Sequence, residues 1–239
     1  MLKRDYSDTL KCNSVWKKYK TLLQLHTIRR TGVKNHGICI APLYLSDQNV
    51  QEHSYLVTAL AVILNATFDE LQEYFPPNFA ETLLFHDIGE TEIGDIADDG
   101  SADAVKHKDE LEFKFLSDFV EDFDPKISQN IMTNFNRFQN KHDILYMIDK
   151  LEWILFTGAL TPSGDAGSLN YKESHLGLTE QDKHAIDETG GSYRTVDAMV
   201  VHFLEHTRGI KGRDILVCLI EAMYMNIDGF IPNFVGKLY

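Results

Sequence analysis

The stretch Gln51-Glu-His-Ser-Tyr-Leu-Val-Thr-Ala-Leu-Ala-Val-Ile-Leu64 sets Leu56, Val57, Leu60, Ala61 and Leu64 at offsets of 3, 4, 7, 8 and 11 from His53. That spacing is one face of an α-helix, so His53 points inward and can meet another helix at depth. A second apolar stripe, Ile144-Leu-Tyr-Met-Ile-Asp-Lys-Leu-Glu-Trp-Ile-Leu155, carries Asp149. The apolar spacing is helical almost throughout and convincing alternating strands are missing, which predicts an all-α bundle. Helices are expected near 14 to 28, 49 to 66, 78 to 88, 103 to 121, 126 to 138, 142 to 159, 193 to 207 and 212 to 226. No internal repeat is visible.

Between the two stripes lies Phe85-His-Asp-Ile-Gly-Glu-Thr-Glu-Ile-Gly-Asp95, in which His86 and Asp87 are adjacent. Two different metal-ligand types side by side are rarely needed for packing. Taken singly, His53 reads as a hydrogen-bonded core histidine. Joined with the doublet and Asp149, it completes two imidazoles and two carboxylates drawn from three helices, a candidate site for a divalent metal. Asp143 competes with Asp149 for the last place. Six residues at about 100° each put it roughly 120° away around the helix. An aspartate inside an apolar stripe is costly unless paired or bound to metal, whereas Asp143 near a helix start is explained by the helix dipole. Asp149 is therefore the expected ligand. This nitrogen and oxygen set suits Mn, Co, Fe, Ni or Zn, with Mg also admitted, and one ion is expected. Glu90 lies four residues after His86. If the segment stays helical it shares the ligand's face, where a carboxylate can orient or deprotonate a metal-bound water.

The order His, His-Asp, Asp, with Gly-Glu and Gly-Asp after the doublet, resembles the HD-domain metal-dependent phosphohydrolases over roughly residues 14 to 160. Arg30-Thr-Gly, Glu52-His-Ser54 and the segment from His86 to Ile96 are similar to the 5'-deoxynucleotidase branch of that superfamily. The resemblance implies an HD helical bundle in which His53, His86, Asp87 and Asp149 hold the metal and Glu90 is catalytic. It implies that Arg30 binds substrate phosphate and that Asp95 lies at the sugar, although Gly94-Asp95 equally suits a turn and helix cap. The implied reaction is release of orthophosphate from nucleoside 5'-monophosphates. Removal of triphosphate or pyrophosphate from larger nucleotides is the enzymatic alternative, and a non-catalytic nucleotide sensor or interaction module is the other. Val33 stands where the branch has a tryptophan, and Gly37-Ile-Cys-Ile-Ala-Pro-Leu-Tyr44 lengthens the segment leading to His53. Lys150 is either a phosphate contact or a partner for a neighbouring carboxylate. The branch often forms dimers, so a homodimer is an open expectation.

Composition bounds the rest. A chain of 239 residues with 44% hydrophobic and 25% charged residues can bury one core. One domain is expected, with an HD core over 14 to 160 and a loop-rich segment and C-terminal helices over 161 to 239. Thr161-Pro-Ser-Gly-Asp-Ala-Gly-Ser168 must end the helix carrying Asp149. Three widely spaced cysteines, Cys12, Cys39 and Cys218, support neither a disulfide framework nor a thiolate metal site. A net charge of -13 argues against a nucleic-acid polymer as partner. It allows a small phosphorylated substrate, because a bound cation and a few local bases can reverse the field inside one pocket. With no membrane-length apolar run and no signal-peptide core, a cytoplasmic location is expected.

Overall fold

The structure, a computed structural model, describes residues 22, 25, 28, 48–94, 102–139, 143–160, 195–227 and 235. Among these residues the chain forms α1 (Val50–Thr67), α2 (Asp69–Gln72), α3 (Phe79–Phe85), α4 (Glu90–Ile93), α5 (Ala102–Val120), α6 (Pro125–Gln139), α7 (Ile144–Leu160), α8 (Thr195–His206) and α9 (Arg213–Ile227). No β-strand occurs among them, and the all-α expectation holds. Leu22 and Leu25, both helical, represent the helix expected over 14 to 28. Arg30, Val33, the 37 to 44 insertion, Asp95 and the 161 to 192 segment lie outside the described residues. No helix among the described residues is long and apolar enough to cross a membrane.

α7 is the centre of the bundle, touching α1, α6, α8 and α9. Its sequence explains why. Leu145, Met147, Ile148 and Leu151 are all fully buried although they point in different directions around the axis, and a helix that is apolar all round must be enclosed. The main core joins this helix to Val57, Ala61 and Leu64 of α1, Phe203 and Leu204 of α8, and Leu216 and Ile220 of α9. A second cluster gathers Ile88, Leu116 and Phe119 with Ile131 and Phe135, so the segment after α3 packs on α5 and α6.

Local signals set the ends of these helices. Asn49 and Glu52 form a reciprocal capping box at α1, with Glu52 N–H donating to Asn49 Oδ1 at 2.9 Å and Asn49 N–H to Glu52 Oε2 at 3.2 Å. Asp124 caps α6 ahead of Pro125, the residue that best tolerates the first helical position. Asp143 caps α7, its Oδ1 accepting the Leu145 N–H at 2.6 Å.

The region expected as one helix over 78 to 88 is instead interrupted. α3 ends at Phe85, and the next turns close through Ile88 N–H to Phe85 O, Glu90 N–H to Asp87 O and Thr91 N–H to Ile88 O. These bonds span three residues, so positions three apart share a face. Glu90 consequently follows the direction of Asp87 rather than that of His86, which corrects the α-helical assumption. Gly89 makes the tight turn fit against α5. A Cβ there would stand 2.8 Å from Glu112 Cα, a backbone atom that cannot move cheaply.

Gly89 has φ -61 and ψ -26, a conformation that alanine adopts without strain. Reduced freedom of the unfolded chain would favour Gly89→Ala by about 0.4–1 kcal/mol. Overpacking against Glu112 costs about 1–3 kcal/mol and should win. Urea unfolding of Gly89→Ala is expected to show a lowered midpoint; a raised midpoint would show that α5 yields freely.

Candidate metal centre

Three elements bring the expected residues together. His53 on α1 is fully buried, His86 and Asp87 begin the turn after α3, and Asp149 lies midway along α7 at 4% exposure. His53 Nε2 stands 2.9 Å from Asp149 Oδ1 and 3.8 Å from Asp87 Oδ2. His86 Nε2 stands 3.2 Å from Asp87 Oδ2 and 3.7 Å from the same Asp149 oxygen. Ligand atoms of His53, His86 and Asp87 all lie within 4.8 Å of one another.

The opposite ring nitrogens are already engaged. His86 Nδ1–H donates to the Leu83 carbonyl at 2.6 Å, and His53 Nδ1–H donates to Glu152 Oε2 at 2.7 Å. With Nδ1–H so committed, Nε2 is the nitrogen each ring turns to the two aspartates; a proton there is donated to them, and without it the lone pair is available to a metal. This donor set fits a divalent cation. Charge points the same way. Burial opposes protonation of His86, but Asp87, Asp149 and the Leu83 carbonyl outweigh it and push the imidazole up to about 9. Burial likewise works against ionised Asp149, and the charge of Lys150 with the hydrogen bonds of His53 and His86 holds that carboxyl well below its usual range. Lys150 Nζ pairs with Asp149 Oδ2 at 2.9 Å, so the carboxylate partner among its two readings is realised.

Glu152 was not anticipated. It is 4% exposed, and Gln48 Nε2 donates to its other oxygen at 3.0 Å, so both oxygens are committed. The signal was available as a second acid three residues after Asp149 within one apolar stripe, the spacing of a shared helical face. Gln48, 104 residues away in sequence, gave none. Asp143 lies elsewhere, capping α7 and meeting Arg137 Nη2 at 3.2 Å.

Glu90 is 2% exposed and lies 4.0 Å from Lys108 Nζ, which also meets Glu112 at 3.4 Å. Burial pushes Glu112 up to about 7; the Lys108 charge opposes this and Asp87 adds to it. Glu112 is thus a further acid within the field of the doublet, on a helix whose sequence shows only ordinary alternation of charge. His107 is exposed on the same helix.

An all-α bundle that gathers a histidine and a His-Asp doublet within 4.8 Å, with a distant aspartate outside that group but against both imidazoles, has the arrangement of an HD-type centre. The chain belongs to the HD domain family, whose sequence description matches residues 23–176, more than half its length. Members of that family are in general metal-dependent phosphohydrolases that bind divalent metals. A comparison with curated proteins found no match.

His86→Ala, Asp87→Ala and Asp149→Ala should each lower the metal bound by purified protein, whereas Asp143→Ala should lose about 1 kcal/mol of stability as a missing cap and keep its metal. Metal analysis beside a melting curve separates the two; metal loss in Asp143→Ala would show the last ligand misassigned. Glu152→Gln should weaken metal affinity about 10–100-fold through His53.

Because a ligating imidazole must be unprotonated, metal competes with the His86 proton at every pH below about 9. Apparent affinity should therefore rise as pH increases from about 6 to 8, by up to roughly tenfold per unit. Titration with Zn or Mn at several pH values measures this, and a flat profile would contradict it.

Proposed function

We propose that this protein hydrolyses phosphate esters and that its substrates are nucleoside 5'-monophosphates, from which it releases orthophosphate. The observation that carries the hydrolytic part is the convergence of His53, His86, Asp87 and Asp149, with buried Glu90 three residues beyond Asp87 on the same face of a tight turn. The monophosphate part is supported by the similarity of Arg30-Thr-Gly and His86 to Ile96 to the nucleotidase branch.

A divalent ion held by the four ligands would polarise the phosphate and lower the pKa of a coordinated water. The remaining work falls to side chains of the chain. Glu90 accepts the proton of the attacking water, and Lys108, 4.0 Å away, steadies the charge it starts with. Glu152 and the Leu83 carbonyl hold the two imidazoles in the productive tautomer. Lys150, 40% exposed at its side chain and bound to Asp149, balances the carboxylate from the open side. Arg30 forks onto phosphate oxygens and Asp95 addresses the sugar, roles that rest on the resemblance alone.

Glu90→Gln preserves shape and should keep the ion while losing on the order of 100-fold or more in turnover. Turnover at the parental rate with metal present would leave Glu90 a mere spectator. Substrate identity is read by loading metal-free protein separately with Mn, Co, Zn, Ni and Mg. Each form is then offered ribo and deoxy nucleoside mono-, di- and triphosphates, with orthophosphate and longer phosphates both monitored. Orthophosphate from 5'-monophosphates is expected, and Arg30→Ala should weaken substrate use without removing metal. Release of intact triphosphate would select the triphosphohydrolase reading, and no turnover of any ester would select the sensor.

A further inference from the structure

Away from the metal centre, three segments line an open cavity of about 610 Å³. They are residues 73–77 between α2 and α3, Arg137 on α6 with Asp143 and Ile144 at the start of α7, and residues 208–211 between α8 and α9. The size lies within the range of small-molecule sites. None of the four expected metal ligands lines it.

Its charge runs against that of the whole chain. In a protein of net charge -13, Arg137, Arg208 and Lys211 converge here, against the lining carboxylates Glu73 and Asp143. Asp143 is already committed to the α7 cap and to Arg137. Arg208, its side chain 56% exposed, meets Glu205 at 2.8 Å through one guanidinium nitrogen, Nη2. Lys211 holds its ammonium 5.9 Å over the Tyr74 ring, the contact it makes among the described residues. Tyr74 and Phe75 supply the aromatic wall, with Phe75 braced on Phe79 at 4.6 Å between ring centres.

The rims are anchored. Gly209 and Gly212 take φ of 77° and 80°, and a Cβ on Gly212 would stand 2.8 Å from Leu71 Cδ2 and 3.3 Å from Tyr74 Cδ2. The turn carrying Arg208 and Lys211 is therefore seated closely on α2 and Tyr74. On the facing rim, Asn134 Nδ2 donates to the Pro77 carbonyl at 2.8 Å and Asn130 Nδ2 to Asn78 Oδ1 at 2.9 Å, tying residues 77–78 to α6.

We propose that this cavity binds a small phosphorylated molecule carrying a planar ring, its phosphate held by Arg208 and Lys211 and its ring laid on the Tyr74 and Phe75 wall. Planar guanidinium groups fork onto phosphate oxygens, and aromatic faces take a flat ring without demanding one base. Arg137 faces the same space from α6 and is paired with Asp143, the residue that begins the approach to Asp149. Six residues of helix separate Asp143 from Asp149, about 9 Å along α7, while Phe138, next to Arg137, sets its ring 5.3 Å from that of His86. The site stands independently of the proposed activity.

The test uses the full chain carrying Arg30→Ala and stripped of divalent metal, so that neither turnover nor the proposed substrate site intervenes, and the variants below are made in that background. Calorimetric titration with the four nucleoside 5'-monophosphates, adenosine and inorganic phosphate should show a binding event for at least one nucleotide, with adenosine and phosphate alone at least about tenfold weaker. That event should weaken at least tenfold in Arg208→Ala/Lys211→Ala, whose two side chains are exposed and whose fold is checked by its melting curve. Unchanged nucleotide affinity in the double variant would overturn the proposal by placing the ligand elsewhere. Absence of nucleotide binding up to millimolar concentration would overturn it too, as would equal binding of adenosine.

Discussion

The structure depends on burying two carboxylates in the middle of its most apolar helix. Asp149 and Glu152 sit on α7 at 4% exposure each, and a carboxylate in such surroundings is tolerated only when paired. His53 answers both at once, one ring nitrogen 2.7 Å from Glu152 and the other 2.9 Å from Asp149. The remaining geometry follows. α1 must lie against α7 at the depth where His53 reaches both acids, and the turn after α3 must bring His86 within 3.7 Å of the same Asp149 oxygen. Removing one member of such a set leaves uncompensated buried charge, with costs of about 3–5 kcal/mol in comparable pairs. The centre that is expected to serve chemistry is therefore also a joint of the fold.

A surplus of negative charge gives this joint its character. Asp87 and Asp149 face two imidazoles, and Glu152 lies behind one of them. Glu90 and Glu112 share Lys108 beside the doublet. The imbalance is what holds a proton on His86 up to about 9 and, by the same field, favours a divalent cation between the two aspartates. Gly89 contributes by allowing α5 to approach so closely that Glu112 enters this field.

Helix positions were readable because apolar spacing reports burial directly. Each observed long helix begins and ends within a few residues of its expected span, whereas α7 was read only as an apolar stripe carrying Asp149, and its central place emerged from the fold. Asp149 was legible for the same reason, since an acid within such a helix needs a partner. The tight turn at 86–89 was not legible. Its bonds depend on the closeness of α5, which no local pattern encodes, and so the face shared by Asp87 and Glu90 emerged only in three dimensions. Gln48 is the extreme case, a residue of ordinary type whose role comes entirely from meeting Glu152 across 104 positions. Arg30 and Asp95, named from the resemblance, lie outside the described residues, so substrate recognition rests on sequence alone.

X-ray absorption spectroscopy on the protein loaded with one transition metal tests the central claim most directly. The account predicts one ion per chain, coordinated by nitrogen and oxygen only, with the multiple-scattering signature of two imidazoles from His53 and His86. A sulfur ligand, the absence of imidazole scattering, or no stoichiometric binding of any divalent ion would contradict it.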